Sequence, residues 1–333
     1  MTPQSIVNGQ LSIVAVKLLV TGGAGFIGSA LVRSLLRTYP RADIVVIDNF
    51  STGKKENLAE VVHKIEIKKV DIRNFQKIKP LFAGTDIVFH EAAIPSVPKS
   101  IDNPIPSHQS NIDGTFNVLL AAQDAGVKRV IYAASSSAYG DAAKLPKTET
   151  MAPDPKSPYA IQKLTGEYYL KCFGDIFGIQ TVALRYFNVF GPRQDPDSPY
   201  SGIISVFAKA ILERKAPTIF GDGLQSRDFT FVEDAVQLNL LAAKAAQIKR
   251  PLYNGGTGKR YTLNQIWKIF QELEGIKLPI KYAKPRLGDV KHSQADIRAA
   301  RNDFDYKPRY SIRDGLKQTL EWYKNSIAQK SGK

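Results

Sequence analysis

Short apolar, β-branched runs recur along the first half of the chain, at Val16–Val20, Ile44–Ile47, Ile65–Val70, Ile87–Phe89, Val130–Ala133 and Thr181–Arg185, and each predicts a strand. Amphipathic stretches that predict helices, such as Ile27–Thr38 and Asn111–Ala125, lie between several of them. Strands alternating with helices imply parallel pairing through right-handed crossovers, so the expected fold is α/β with a doubly wound parallel sheet. Further helical segments, Ser205–Arg214, Glu233–Ala246 and Leu263–Glu274, are mixed with Pro/Gly-rich loops and predict a smaller mixed α/β C-terminal lobe. The expected division assigns 16–185 to the first domain, with part of 229–256 returning to it. Residues 186–228 and 257–328 form the second, and 1–15 an extension.

Composition narrows the functional class. A chain of 333 residues suits two lobes better than one core, and 43% hydrophobic with 23% charged residues describes a globular protein. No apolar run approaches the ~20 residues that span a bilayer, so no membrane partner is expected. Residues 1–15 lack a basic start and a small-residue cleavage pattern, and no signal peptide is predicted. They are either tag-like or an upstream extension of the first strand. The single cysteine, Cys172, allows no internal disulfide and points to a reducing cytoplasm. The net charge is +15, but the basic residues are scattered apart from short clusters such as Lys64, Lys68 and Lys69. No nucleic-acid partner is expected; the field suits attraction of a polyanionic small molecule. His63, His90, His108 and His292 lie far apart, so no metal site is expected.

Gly22-Gly23-Ala24-Gly25-Phe26-Ile27-Gly28 follows the first predicted strand and opens a helix. Spacing at Gly22, Gly25 and Gly28 permits a tight turn, close approach of backbone to a pyrophosphate, and tight helix–strand packing; the helix N-terminus then supplies amide donors. Asp48 ends the second strand at the distance where a carboxylate meets the adenosine ribose. The alternative is a merely structural glycine turn. Together these residues mark a Rossmann-type dinucleotide site. A carboxylate at 48 repels a 2′-phosphate, and Asn49-Phe50-Ser51-Thr52 brings no arginine, though Lys54 and Lys55 are near; NAD is therefore expected over NADP.

Tyr159 and Lys163 stand four apart just after Pro158, which places both on one face of a helix. A neighbouring ammonium and an oxidised nicotinamide would favour the phenolate, and lowering a phenol pKa by ~3 units amounts to ~4 kcal/mol. Ser135 and Ser136 sit at the carboxyl end of a strand, where ligands of such sheets bind. Taken alone, the Tyr–Lys pair also reads as surface pairing.

These motifs resemble the extended short-chain dehydrogenase/reductases, and within them the UDP-glucose and UDP-N-acetylglucosamine 4-epimerases. The likeness runs from about Lys17 to Tyr323 and includes His90-Glu91-Ala92-Ala93, Arg185 through Pro192, Arg227-Asp228-Phe229 and Arg286-Leu287-Gly288-Asp289. It implies a 4-epimerase of UDP-glucose and its N-acetylated forms, working through a 4-keto sugar with NAD retained. Tyr159 would take the 4-hydroxyl proton, Lys163 would hold the nicotinamide ribose, and Ser135 assisted by Ser136 would bind the reacting oxygen. Phe26, Ile27, Asn49, Ser51, Thr52, Gly53, Asp71, Ile72, Ala92, Ala93 and Tyr186 would complete the cofactor site. Ser96, Asn188, Phe220, Arg227, Arg286 and Asp289 would hold the UDP-sugar, arginine suiting phosphate through its planar donors. For each arginine alone, a surface ion pair is the other reading. The resemblance also implies a homodimer through 111–125 and 159–177, whose apolar faces are equally explicable as core.

Sister activities differ at the serine cluster. Dehydratases and decarboxylases of this kind carry carboxylates there to act at neighbouring carbons, whereas Ser135-Ser136-Ser137-Ala138 offers none. A glucuronate 4-epimerase shares the tyrosine, lysine and serine and stays open. A non-catalytic NAD-sensing module stays open too, although such relatives commonly lose the tyrosine. Ser293 matches a pocket-wall position that is tyrosine in epimerases restricted to non-acetylated sugars, so both sugar types are expected; the alternative is that it packs locally. Ser205 stands where relatives often have proline.

Overall fold

In a computed structural model, residues 16–195, 202–285 and 290–331 are described. Six strands follow the predicted runs: β1 Lys17–Thr21, β2 Asp43–Asp48, β3 Glu66–Lys69, β4 Ile87–His90, β5 Arg129–Ser135 and β6 Gln180–Tyr186. A seventh, Leu252–Gly255, joins at the edge beside β6. The order across the sheet is Leu252–Gly255, β6, β5, β4, β1, β2, β3, every pair parallel. This is the doubly wound Rossmann-type sheet. Side chains alternate between two cores: Leu18, Val20 and Ile131 pack on one face, Leu19, Ile47, Val88 and Val130 on the other. The order reverses between β1 and β4, which opens a crevice above the carboxyl ends.

Helices were legible to within a few residues, with one exception. The first, Phe26–Thr38, and Leu263–Glu274 match their predicted spans closely. The stretch expected to be helical from Asn111 carries a π turn over Gln109–Asp113 before regular helix resumes at Gly114–Asp124. Asn111 explains the irregularity. Its side chain accepts from Ile94 N at 2.8 Å and donates to Gln162 Oε1 at 2.8 Å, tying the loop after β4 to the next long helix. That helix, Pro158–Phe177, starts on a Ser157 cap with proline in its first turn and ends at Gly178, φ 70°.

Beyond β6 the chain builds small two-stranded pairings. Val189–Phe190 pairs in parallel with Thr230–Phe231, Ser226–Arg227 runs antiparallel to Tyr261–Thr262, and Thr218–Phe220 pairs in parallel with Lys281–Ala283. They carry Asn188 and Arg227 to the open side of the crevice. Among the described residues no helix is long and apolar enough to cross a membrane.

Candidate active site

A cavity of about 1170 Å³ runs along the carboxyl ends of the strands. Its cofactor end is lined by Gly22, Gly25, Phe26, Ile27, Gly28, Asp48, Asn49, Ser51, Thr52, Gly53, Ile72, Ala92 and Ala93. Ser96, Ser135, Ser136, Tyr159, Lys163, Tyr186, Asn188, Arg227 and Ser293 line the rest. The structure does not bring Asp71 or Phe220 to this wall. Asp71 is engaged by Arg73 and Asn49 and borders a separate shallow depression. Phe220 lies in the pairing with Ala283, its carbonyl held by Gln225 Nε2 at 2.6 Å. Arg286 and Asp289 lie outside the described residues.

The glycine turn leaves no room for side chains. Gly22 has φ +69°, and a Cβ there would stand 2.6 Å from Ala92 N and Cα; a Cβ at Gly28 would stand 2.2 Å from Gly22 O. The first helix starts at Gly25 with no side-chain cap and no acidic residue in its first turn. Its leading amides are thus available to an anion, which fits a dinucleotide pyrophosphate. Asp48 accepts from Ala24 N at 2.9 Å through one oxygen and from Phe50 N at 2.8 Å through the other. Burial raises its pKa against those two donors. Asp48 therefore pins the glycine loop to β2 and retains lone pairs for ribose hydroxyls.

Two ion pairs join the segment after Phe190 to the segment after β2: Lys54 with Asp195 and Arg193 with Glu60, each at 2.8 Å. Lys54 and Asp195 both border the cavity.

Among the candidate catalytic residues, Ser135 ends β5, and its hydroxyl accepts from Ser137 N at 3.2 Å and Ser137 Oγ at 2.8 Å. Tyr159 is fixed from its backbone, whose N–H donates to Ser100 Oγ at 3.1 Å. Burial raises the phenol's pKa, with the Ser135 hydroxyl opposing the rise. Lys163 donates to Ala133 O at 2.7 Å and lies 4.7 Å above the Tyr132 ring. Burial lowers it to about 8, against the fields of Glu91 and Glu167. Desolvation therefore outweighs any lowering of the phenol by Lys163, whose ammonium is engaged by Ala133 O and by the fields of Glu91 and Glu167.

His90 accounts for the fixed geometry nearby. It is fully buried between Thr21 Oγ1 at 2.7 Å and Thr115 Oγ1 at 2.9 Å, and desolvation, with Lys163 adding to it, holds it near pKa 3 and so neutral. Elsewhere on the cavity wall, Asn188 Nδ2 donates to Asp228 O at 3.2 Å, and Arg227 Nη1 donates to Ser226 O and Lys291 O. Asp228 gathers Thr257 N and Oγ1, Gly258 N and Ala295 N at 2.6–3.0 Å, so it organises the loops beside Arg227. Ser293 is buried, its N–H on Ser226 O at 2.9 Å. Ser205 donates to Gln194 Oε1 at 2.8 Å, a bond that proline in its place would remove. Sequence reasoning gave no role to Glu91, which lines the cavity just past β4; its signal was a carboxylate directly after an apolar strand.

The sequence profile of the NAD dependent epimerase/dehydratase family matches residues 18–256. The chain is 35% identical to a UDP-glucose 4-epimerase of Mycolicibacterium smegmatis, over 93% of this chain and 99% of that protein. It is also 35% identical to a UDP-glucuronate 4-epimerase of Thermodesulfobacterium geofontis, over 93% and 96%. The solved UDP-N-acetylglucosamine 4-epimerase from Methanobrevibacter ruminantium M1, in complex with UDP-N-acetylmuramic acid, superposes with TM-score 0.89 at 38% identity, over 94% of this chain and 100% of that one. Likeness of this extent, carried by both sequence and fold, makes the chain a member of the NAD-dependent epimerase/dehydratase family, within the extended short-chain dehydrogenase/reductases.

Proposed function

We propose that this chain inverts C4 of a UDP-hexose, interconverting UDP-glucose with UDP-galactose and also the N-acetylated pair. The observation that carries the reading is that Tyr159, Lys163 and Ser135 line one cavity, with Ser135 at the end of β5 on a segment, 135–138, that presents hydroxyls and no carboxylate. When bound, NAD supplies reversible hydride acceptance. Tyr159 takes the proton of the sugar 4-hydroxyl and later returns it, and Ser135, with Ser136 beside it, hydrogen-bonds the same oxygen. Lys163 holds the cofactor ribose from the floor. Asn188 and Arg227 grip the nucleotide diphosphate, so the hexose beyond it can turn and present its other face. Ser293, small and at the wall, leaves space for an N-acetyl group.

The reading is tested by incubating the purified protein with UDP-glucose, UDP-N-acetylglucosamine and UDP-glucuronate and resolving the products. Interconversion of the first two supports it. Turnover of UDP-glucuronate alone replaces it with the uronate 4-epimerase reading, which the Thermodesulfobacterium relative favours. Ser293→Tyr is expected to abolish turnover of the N-acetylated sugar and spare UDP-glucose; unchanged N-acetyl turnover refutes the pocket assignment. We also place the enzyme in the cytoplasm as a homodimer. Exposed Phe116, Ile161, Tyr168 and Ile176 on the two outer helices give a second copy an apolar face.

A further inference from the structure

Ser137 has no part in the reaction just described, yet it lines the cavity with Ser135. A serine hydroxyl has one proton to donate and two lone pairs with which to accept. At Ser135 both lone pairs go to the same neighbour, since Ser137 N donates to Oγ at 3.2 Å and Ser137 Oγ donates to it at 2.8 Å. The backbone dictates this arrangement. Ser135 closes β5 in extended conformation, φ −142° and ψ 139°, and caps the single 3-10 turn Ser136–Tyr139 that follows at once. Capping aims Ser137 N at the Ser135 oxygen, and the Ser137 side chain reaches the same atom. The turn is fastened from three sides. Gly140 N donates to Ser137 O at 3.2 Å, Asp154 N to Ala138 O at 2.9 Å, and the Tyr139 hydroxyl to Asn254 Oδ1 at 2.7 Å.

We propose that Ser137 is a positioning residue that makes Ser135 a donor only: with both lone pairs filled, Ser135 offers its proton to the sugar 4-oxygen and cannot take one from it. The inference rests on the 4-epimerase reading and deepens it. A serine relay would pass the 4-hydroxyl proton to Ser135 while Ser135 passes its own to Tyr159, and that requires a free lone pair on Ser135 at the moment of transfer. Ser137 withholds it. The O–H bond of the 4-hydroxyl therefore breaks toward the Tyr159 phenolate, which gains the proton, and the Ser135 O–H bond stays intact through the cycle. The hydrogen bond from Ser135 strengthens as negative charge gathers on the 4-oxygen, so orienting it stabilises the transition state more than the resting substrate.

Steady-state kinetics on UDP-glucose and UDP-N-acetylglucosamine supply the first test. Ser137→Ala removes the hydroxyl donor and frees a lone pair on Ser135; kcat is expected to fall about three- to tenfold, the worth of one oriented hydrogen bond, with KM within about twofold. Ser137→Thr keeps the hydroxyl and is expected to bring kcat back to within about twofold of wild type. In a Ser135→Ala background no hydroxyl is left to orient, so adding Ser137→Ala is expected to cost nothing further. An equal loss in both backgrounds overturns the proposal, because Ser137 would then act on the sugar itself; a change confined to KM, or a wild-type kcat in Ser137→Ala, overturns it too. The second test needs neither turnover nor a variant. Neutron diffraction from deuterium-exchanged crystals of the NAD-loaded protein locates the hydroxyl deuterons. The Ser137 deuteron is expected on the line to Ser135 Oγ, and the Ser135 deuteron turned into the cavity. A Ser135 deuteron lying toward Ser137 Oγ overturns the proposal. Wild-type protein that turns over no UDP-hexose ends the 4-epimerase reading instead, and the deuteron positions still decide the polarity at Ser135.

Discussion

Replacing Glu167 by methionine tests how the helix Pro158–Phe177, which carries Tyr159 and Lys163, is fastened to the sheet. Glu167 receives Arg185 Nε on one oxygen at 2.8 Å and Nη2 on the other at 2.6 Å. Side-chain exposures of 3% for Arg185 and 8% for Glu167 leave little water to screen the pair. The guanidinium also lies 4.4 Å from the Tyr139 ring centroid, and its Nη1 has no hydrogen-bond partner among the described residues. Removing the carboxylate alone strands a buried cation, at a cost of about 3–5 kcal/mol. At about 2 °C per kcal/mol for a chain this long, the melting temperature should fall by roughly 6–10 °C. Glu167→Met/Arg185→Met removes the desolvation penalty along with the attraction and should return to within about 2 kcal/mol of wild type. Differential scanning calorimetry at neutral pH on the single and double variants decides the matter. A double variant no more stable than the single one refutes the reasoning, because the loss would then lie in packing rather than in the stranded charge.

Gly28→Ala should strip the protein of dinucleotide, since its methyl would meet three backbone atoms of Gly22 and Gly23 within 2.2–2.9 Å; at least about tenfold weaker retention is expected, and a full complement of NAD by absorbance contradicts it. Hydrogen bonding from Arg73 holds Asp71 down to about 2, so its contribution to stability is present above the unfolded value of about 4 and fades as pH falls through about 2. Asp71→Asn should lower stability at pH 7 by no more than about 1 kcal/mol, because the pair is largely exposed, and should lower it by nothing below about pH 2, so the acid limb in denaturant titrations flattens by the same small amount. Tyr168→Glu, on the exposed helix face, should convert the proposed dimer to monomer in sedimentation velocity without unfolding it; a wild type that already sediments as a monomer removes the premise.

The strands that build the sheet were readable because their runs are continuous and apolar: Leu18, Leu19 and Val20 carry the same signal in sequence and core. The seventh strand was not, because Leu252-Tyr253-Asn254-Gly255 has no such run. Its place depends on partners remote in the chain, such as Tyr139 Oη on Asn254 Oδ1 at 2.7 Å. Spacing predicted that Tyr159 and Lys163 share a helix face, but not that the ammonium would turn to Ala133 O, since that carbonyl belongs to another strand. The π turn is invisible to periodicity for the same reason: it is set by Asn111 reaching Ile94 and Gln162. Phe220, placed near the ligand by resemblance, pairs with Ala283 and is not among the residues lining the cavity.

The pairs Lys54–Asp195 and Arg193–Glu60 have a kinetic consequence. The stretch of cavity wall that Lys54 and Asp195 border is fastened by solvent-accessible charge. Raising salt from about 0.1 M to about 1 M shortens the reach of such attractions from about 10 Å to about 3 Å, so the wall loosens. The proposed epimerisation ends each turnover with its cofactor in the starting form and so never requires exchange. Ionic strength should therefore govern how long a molecule stays loaded while leaving the pace of each turnover alone, and dilution into brine becomes a way to unload the protein without unfolding it.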